Sequence, residues 1–117
     1  MFIHGFNWKG VYDKTTTGAQ TLAPQDASLD WDVVILVTCT QTFATGSGAK
    51  PTFKLGQTGT TNKFADTTAF SGLIEGDKRA FAGTLSATKD LLVTATAATG
   101  TATGAITVRA VLVRRAL

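Results

Sequence analysis

The sequence has few of the residues that carry most reaction chemistry. Its 117 residues include one histidine, His4, and one cysteine, Cys39. A Ser-His-Asp triad would have to use His4, which lies close to glycines in the opening segment, a poor place to hold a base. One cysteine forms no internal disulfide, and a histidine and a cysteine far apart in the chain make no zinc signature. We therefore expect no catalytic residue, no cofactor, no metal site and no enzymatic activity.

The acidic residues are also too sparse to indicate a site. Asp30 and Asp32, and further on Glu75 and Asp77, could offer carboxylates to calcium, but they lack the dense Asp/Asn/Gly pattern of a calcium loop. No spacing among the four selects a pair suited to glycoside hydrolysis. We expect these carboxylates to lie in solvated turns.

Charge is scarce as well, at 16% of residues, with a net charge of +3. The basic residues do not alternate with aromatics along a stripe, which disfavours a nucleic-acid partner. No apolar run approaches the roughly 18 residues of a membrane span, and the opening segment lacks the apolar core of a signal peptide. We therefore expect synthesis in the cytoplasm. The 22 threonines suit strands and surfaces that assemble without strong charge.

What the chain does contain is alternation of apolar and polar residues. The clearest case is Trp31–Phe43, in which six apolar side chains share one face: Trp31, Val33, Ile35, Val37, Cys39 and Phe43. Val34 and Leu36 on the opposite face are apolar too, so we expect the first half of this strand to be covered on both sides. With turn signals about every eight to twelve residues, the pattern predicts an all-β fold, an antiparallel β-sandwich or jelly-roll-like domain of about six to eight short strands over residues 30–117.

The chain closes with two Thr-, Ala- and Val-rich runs separated by a glycine-bounded break at 100–104. Apolar residues flank the break on both sides, so we predict that the two runs pair as a hairpin. Arg109 lies on the last run, where we expect it to face solvent or an interface. Arg114 and Arg115 follow, either to contact a carboxylate of a partner or to be solvated.

Residues 1–29 differ from the rest and are predicted to form an extended N-terminal arm and a first strand. Their aromatics follow neither a helical nor a strict strand period. Two alternatives remain open: a strand that packs its aromatics on its own domain, or an arm that lays them on a neighbouring subunit. For the second alternative we predict an interface with these residues, together with the three arginines of the last strand: Phe2, Ile3, Phe6, Trp8, Tyr12, Arg109, Arg114 and Arg115.

Three segments together resemble small β-sandwich structural proteins of tailed bacteriophages. They are an apolar strand ending in T-x-T-F (Val33–Phe43), a strand TFKLG that is followed by a loop (Thr52–Gly56), and the Thr/Ala/Gly run closing in V-x-V (Leu91–Val113). The resemblance implies a place in the virion: as a capsid decoration (cement) protein, a head-fibre base or a tail component. The aromatic opening segment is not part of the shared pattern.

From these observations we predict a non-enzymatic virion structural protein that decorates the capsid surface as a homo-oligomer. Its expected partners are the major capsid protein or other virion proteins, with no nucleic acid and no membrane. Two alternatives are a tail or head-fibre component and a carbohydrate-binding module for host attachment. The last would need an exposed aromatic platform, for which Trp31 is the test residue, although its place at the head of a strong strand favours the core.

Overall fold

A computed structural model describes the backbone of residues 2–23 and 30–116, and the side chains of residues 8–22 and 30–113. Eight strands lie in these ranges, with one short 3₁₀ turn at Thr67–Ala69. They are β1 (Phe2–Tyr12), β2 (Gly18–Ala23), β3 (Trp31–Ala44), β4 (Thr52–Gln57), β5 (Thr60–Ala65), β6 (Lys78–Leu85), β7 (Leu91–Thr96) and β8 (Thr103–Ala116).

The strands form two four-stranded sheets. The first sheet has the order β1-β8-β3-β6 and the second β2-β7-β4-β5, and the neighbours within each are antiparallel. The prediction of an all-β antiparallel sandwich of about six to eight strands is confirmed. Not all the strands are short: β1 has 11 residues, and β3 and β8 have 14 each. The first sheet is therefore the longer of the two along its strands.

The core lies between the sheets and follows the predicted alternation. The face of β3 headed by Trp31 is buried, as is the facing side of the second sheet, which includes Phe53, Leu55, Leu91 and Val93. Phe53 packs its ring 6.5 Å from that of Tyr12 and 6.0 Å, edge-on, from that of Phe43. Removal of these apolar surfaces from water is the main term that stabilises the domain.

The two closing runs do not pair with each other, so the predicted hairpin is wrong. Strand β7 lies in the second sheet between β2 and β4, whereas β8 lies in the first sheet between β1 and β3. The segment between them crosses from one sheet to the other and is held by neighbouring loops: Ala98 donates its N–H to the carbonyl of Lys14, and Thr99 to that of Ala49. Alternation shows which face of each run is buried, but a run buried on one face can join either sheet.

The backbone of residues 2–12 forms a strand of the domain. Strand β1 pairs with β8 over eleven consecutive positions, from Phe2 opposite Ala116 to Tyr12 opposite Ile106. Because β3 pairs with β8 only as far as Val113, the first three positions of β1 and the last three of β8 extend past β3 as a two-stranded ribbon. Of the two alternatives for this segment, the backbone corresponds to the first, a strand of the chain's own domain.

The thiol of Cys39 is buried in the core, with 1% of the residue exposed. Burial raises the pKa of this thiol, which donates to the carbonyl of Gln41 over 3.1 Å. Since the thiolate is the reactive form, we expect Ellman's reagent to leave native Cys39 unmodified and to modify it fully in guanidinium chloride. The matched variant, Cys39→Ala with Thr40→Cys, moves the thiol to the exposed neighbouring position and should react at once. Fast labelling of the native wild-type protein would contradict this.

Candidate docking surface

The outer face of the first sheet is the side turned away from the core, and it carries exposed large apolar side chains. Val34 and Leu36 of β3 are 45% and 47% exposed, and Val11 of β1 is 66% exposed. The side chains of this face in the described range are Lys9, Val11, Asp32, Val34, Leu36, Thr38, Lys78, Ala80, Ala82, Thr84, Thr107, Arg109, Val111 and Val113. The expectation that the first half of β3 is covered on both sides is therefore wrong for the part of the chain that the structure describes, in which Val34 and Leu36 stay about half exposed.

The register of the strands places these residues in rows across the sheet. The central row runs from Lys9 on β1 to Arg109 on β8, Leu36 on β3 and Ala80 on β6. Neighbouring strands lie about 4.8 Å apart, so consecutive members of a row are in side-chain contact range. Val34 and Val111 are opposite each other in the next row, which makes an apolar strip beside the central row.

Two shallow grooves cross the outer face and meet at Leu36 and Arg109. One groove, of about 350 Å³, continues between these residues and the start of β6, where Lys78 and Arg79 line it. The other, of about 330 Å³, continues towards β1 and is lined by Trp8 and Lys9 among others. Leu36 and Arg109 therefore form the part of the surface that is common to both grooves.

The outer face is positively charged. Among the side chains that the structure describes, Lys9, Lys78 and Arg109 make no ion pair. The one carboxylate among the described side chains of this face is that of Asp32, which lies opposite Val113 near one end of the face. Nearby Asp77 accepts a hydrogen bond from the N–H of Ile74 and so belongs to the turn before β6. The cations of this face are thus available to a carboxylate or another anion from outside the chain.

The predicted interface residues fall in different places. Arg109 is exposed at the centre of the outer face, as expected, and Trp8 is half-buried against the core while lining one groove. The five others lie in paired backbone, but their side chains are outside the described residues: Phe2, Ile3, Phe6, Arg114 and Arg115.

Tyr12 requires a correction, because it is a core residue. It is 7% exposed, its ring packs near Phe53, and burial raises the pKa of its phenol. Its position explains the error: Tyr12 lies opposite Ile106 at the end of β1, where the strand faces the second sheet. Its hydroxyl and ring are therefore not exposed for contact with a neighbouring subunit.

The other candidate sites have structural explanations where the structure describes them. Trp31 is 2% exposed, so its ring offers no platform for a sugar, and the expectation of a core tryptophan is confirmed. Asp30 accepts a hydrogen bond from the N–H of Ala87, as a turn carboxylate does. Within the described ranges, no three histidine, cysteine or acidic residues come together as a metal site, and no helix has the length and apolarity to cross a membrane.

Lys9, Val34 and Leu36 are among the residues of this surface that the sequence alone did not single out as interface residues. The signal for two of them is the uninterrupted apolar run Val33–Val37, which is unusual for a strand with one solvated face. Lys9 carries no such signal, because its place beside Arg109 depends on the register between β1 and β8.

Comparison with solved structures finds the same architecture in a virus particle. A chain of the cyanophage Pam1 capsid asymmetric unit is similar over 97% of this chain and 85% of its own length, with a TM-score of 0.62 and 12% sequence identity. The chain shares its fold with a phage capsid chain. At that identity the likeness concerns the fold alone. No family model matches the sequence, and no curated protein matches it.

Proposed function

We propose that this protein is a non-enzymatic structural component of a phage particle and that it decorates the capsid surface as a homo-oligomer. The observation that carries the proposal is the similarity of nearly the whole chain, 97% of its length, to a chain of a phage capsid. The exposed apolar and cationic outer face adds support, because large exposed apolar patches on a folded domain mark sites of protein–protein interaction.

Decoration suits the moderate character of this surface. A capsid presents many identical sites, and an oligomer that engages several of them gains avidity without a strong single contact. A surface of valine, leucine and alanine with a few cations provides such contacts, and it offers no chemistry that a reaction would need. The partners proposed are the major capsid protein or other virion proteins.

The test is a co-sedimentation experiment with particles that lack the protein. Phage is grown with this gene deleted, the particles are purified, and the recombinant protein is added back. We expect the protein to sediment with the particles, to be a symmetric oligomer by light scattering, and to appear as added density on the head in an electron-microscopy map. Density on the tail or on a fibre would support the alternative of a tail or head-fibre component. Failure to bind, with the protein also absent from wild-type particles, would overturn the proposal.

A further inference from the structure

We infer that the outer face of the first sheet is a docking surface for a protein segment that alternates carboxylates with apolar side chains. The inference deepens the proposed function, on which it rests for the setting of the partner in the virion.

The central row holds two cations in an unfavourable position. Lys9 and Arg109 are directly opposite each other on adjacent antiparallel strands, and like charges in that position destabilise a sheet. No ion pair in the described part of the chain relieves this repulsion. A carboxylate placed between the two side chains would relieve it, and guanidinium groups bind carboxylates through two parallel hydrogen bonds.

The apolar neighbours of these cations define the rest of the partner. Leu36 lies directly opposite Arg109, and Val34 and Val111 lie opposite each other in the next row. A partner that buries them needs apolar side chains of its own beside the carboxylate. Aliphatic side chains make no favourable contact with phosphate, so this composition favours a protein over a nucleic acid, whose binding sites combine cations with polar and aromatic groups.

A second copy of the chain is a poor occupant of the same face. In the described range each copy offers Lys9, Lys78, Arg79 and Arg109 around the two grooves and one carboxylate, Asp32. Two copies placed face to face would leave most of these cations against one another. Charge complementarity therefore requires an acidic partner, and oligomer contacts must use another surface.

The first test adds each of three probes to the purified protein and measures binding by the change in the NMR chemical shifts of its backbone amides. The probes are a short peptide that alternates Glu and Leu, its Lys/Leu counterpart, and a short DNA duplex. We expect the Glu/Leu peptide to shift the amides of Leu36, Arg109 and Val111 and to bind more weakly as salt screens the charges. Stronger binding of the Lys/Leu peptide or of DNA, or shifts confined to other surfaces, would overturn the inference.

The decisive variant is Arg109→Glu, with Lys14→Glu as the control in the exposed turn between β1 and β2. Arg109→Glu places a carboxylate opposite Lys9, so the thermal midpoint should hold or rise while peptide binding falls by about tenfold or more. Lys14→Glu should bind as the wild type does. Equal binding by wild type and Arg109→Glu would refute the assignment of this face.

The second test repeats the two variants with particles that lack the protein, and it separates the two proposals. If wild type and Arg109→Glu both co-sediment, the docking surface is wrong and the decoration role stands. If wild type does not co-sediment and the protein is also absent from wild-type particles, the decoration role fails, and the peptide experiment alone decides whether the face binds an acidic segment. A dimer that Arg109→Glu strengthens or dissociates would show that the face binds a second copy, and would also overturn the inference.

Discussion

Leu36→Asp should weaken binding to particles by more than an order of magnitude while leaving the domain folded. Leu36 is 47% exposed and is shared by both grooves, so on the proposed docking surface its exposed part would be buried by the partner. The new carboxylate would also lie opposite Arg109 and compete with the partner for it. Loss of a central contact costs about 2 kcal/mol or more, which is roughly a thirtyfold loss of affinity.

The matched control is the same substitution one residue earlier. Ile35 is completely buried in the core, and an unpaired carboxylate there costs several kcal/mol, a large share of the roughly 5–15 kcal/mol that stabilises a domain. Ile35→Asp should therefore be unfolded in circular dichroism, whereas Leu36→Asp should stay folded and lose only about 1 kcal/mol of unfolding free energy in a urea titration. Normal particle binding by folded Leu36→Asp protein would remove the outer face from the candidate docking surfaces.

The contrast between Ile35 and Leu36 shows how far local sequence pattern reaches. The alternation along β3 correctly predicts the buried face, because successive side chains of a strand point to opposite sides. The same pattern cannot tell whether an apolar second face is covered within the chain or left for another molecule. Val34 and Leu36 look like core residues in the sequence, and the structure leaves them exposed.

Pairing between strands is harder to predict than the strands themselves. Strands β7 and β8 were recognisable from Leu91, Val93, Ile106 and Val108, but their partners are determined by contacts with distant segments. The candidate site depends on the same long-range information. The exposure of Arg109 was predictable from its valine neighbours, whereas its position opposite Lys9 requires the register of β1, about 100 residues away along the chain.

Deletion of residues 1–12 should destabilise the whole domain. The deletion removes β1, leaves eleven positions of β8 without their partner, and takes the Tyr12 ring out of the core. Loss of a buried aromatic ring alone costs about 3–5 kcal/mol, comparable with the total stability of a marginal domain. If residues 1–12 served only as an arm for a neighbouring subunit, the truncated protein would keep its urea midpoint and lose particle binding alone.

A shorter deletion provides the control, because the first positions of β1 pair with β8 beyond the end of β3. Removal of residues 1–4 takes away the part of β1 that pairs with β8 past Val113, the last position that β8 shares with β3. Tyr12 and the cross-strand pair of Lys9 and Arg109 stay in place. We expect this variant to lose less than about 1 kcal/mol of unfolding free energy, since it removes only the end positions of an edge strand, which pair with β8 alone. Comparison of the two deletions separates the structural role of β1 from any contact made by its first residues. Equal urea midpoints for the two variants would mean that residues 5–12 do not stabilise the sandwich, which would contradict the pairing of β1 with β8.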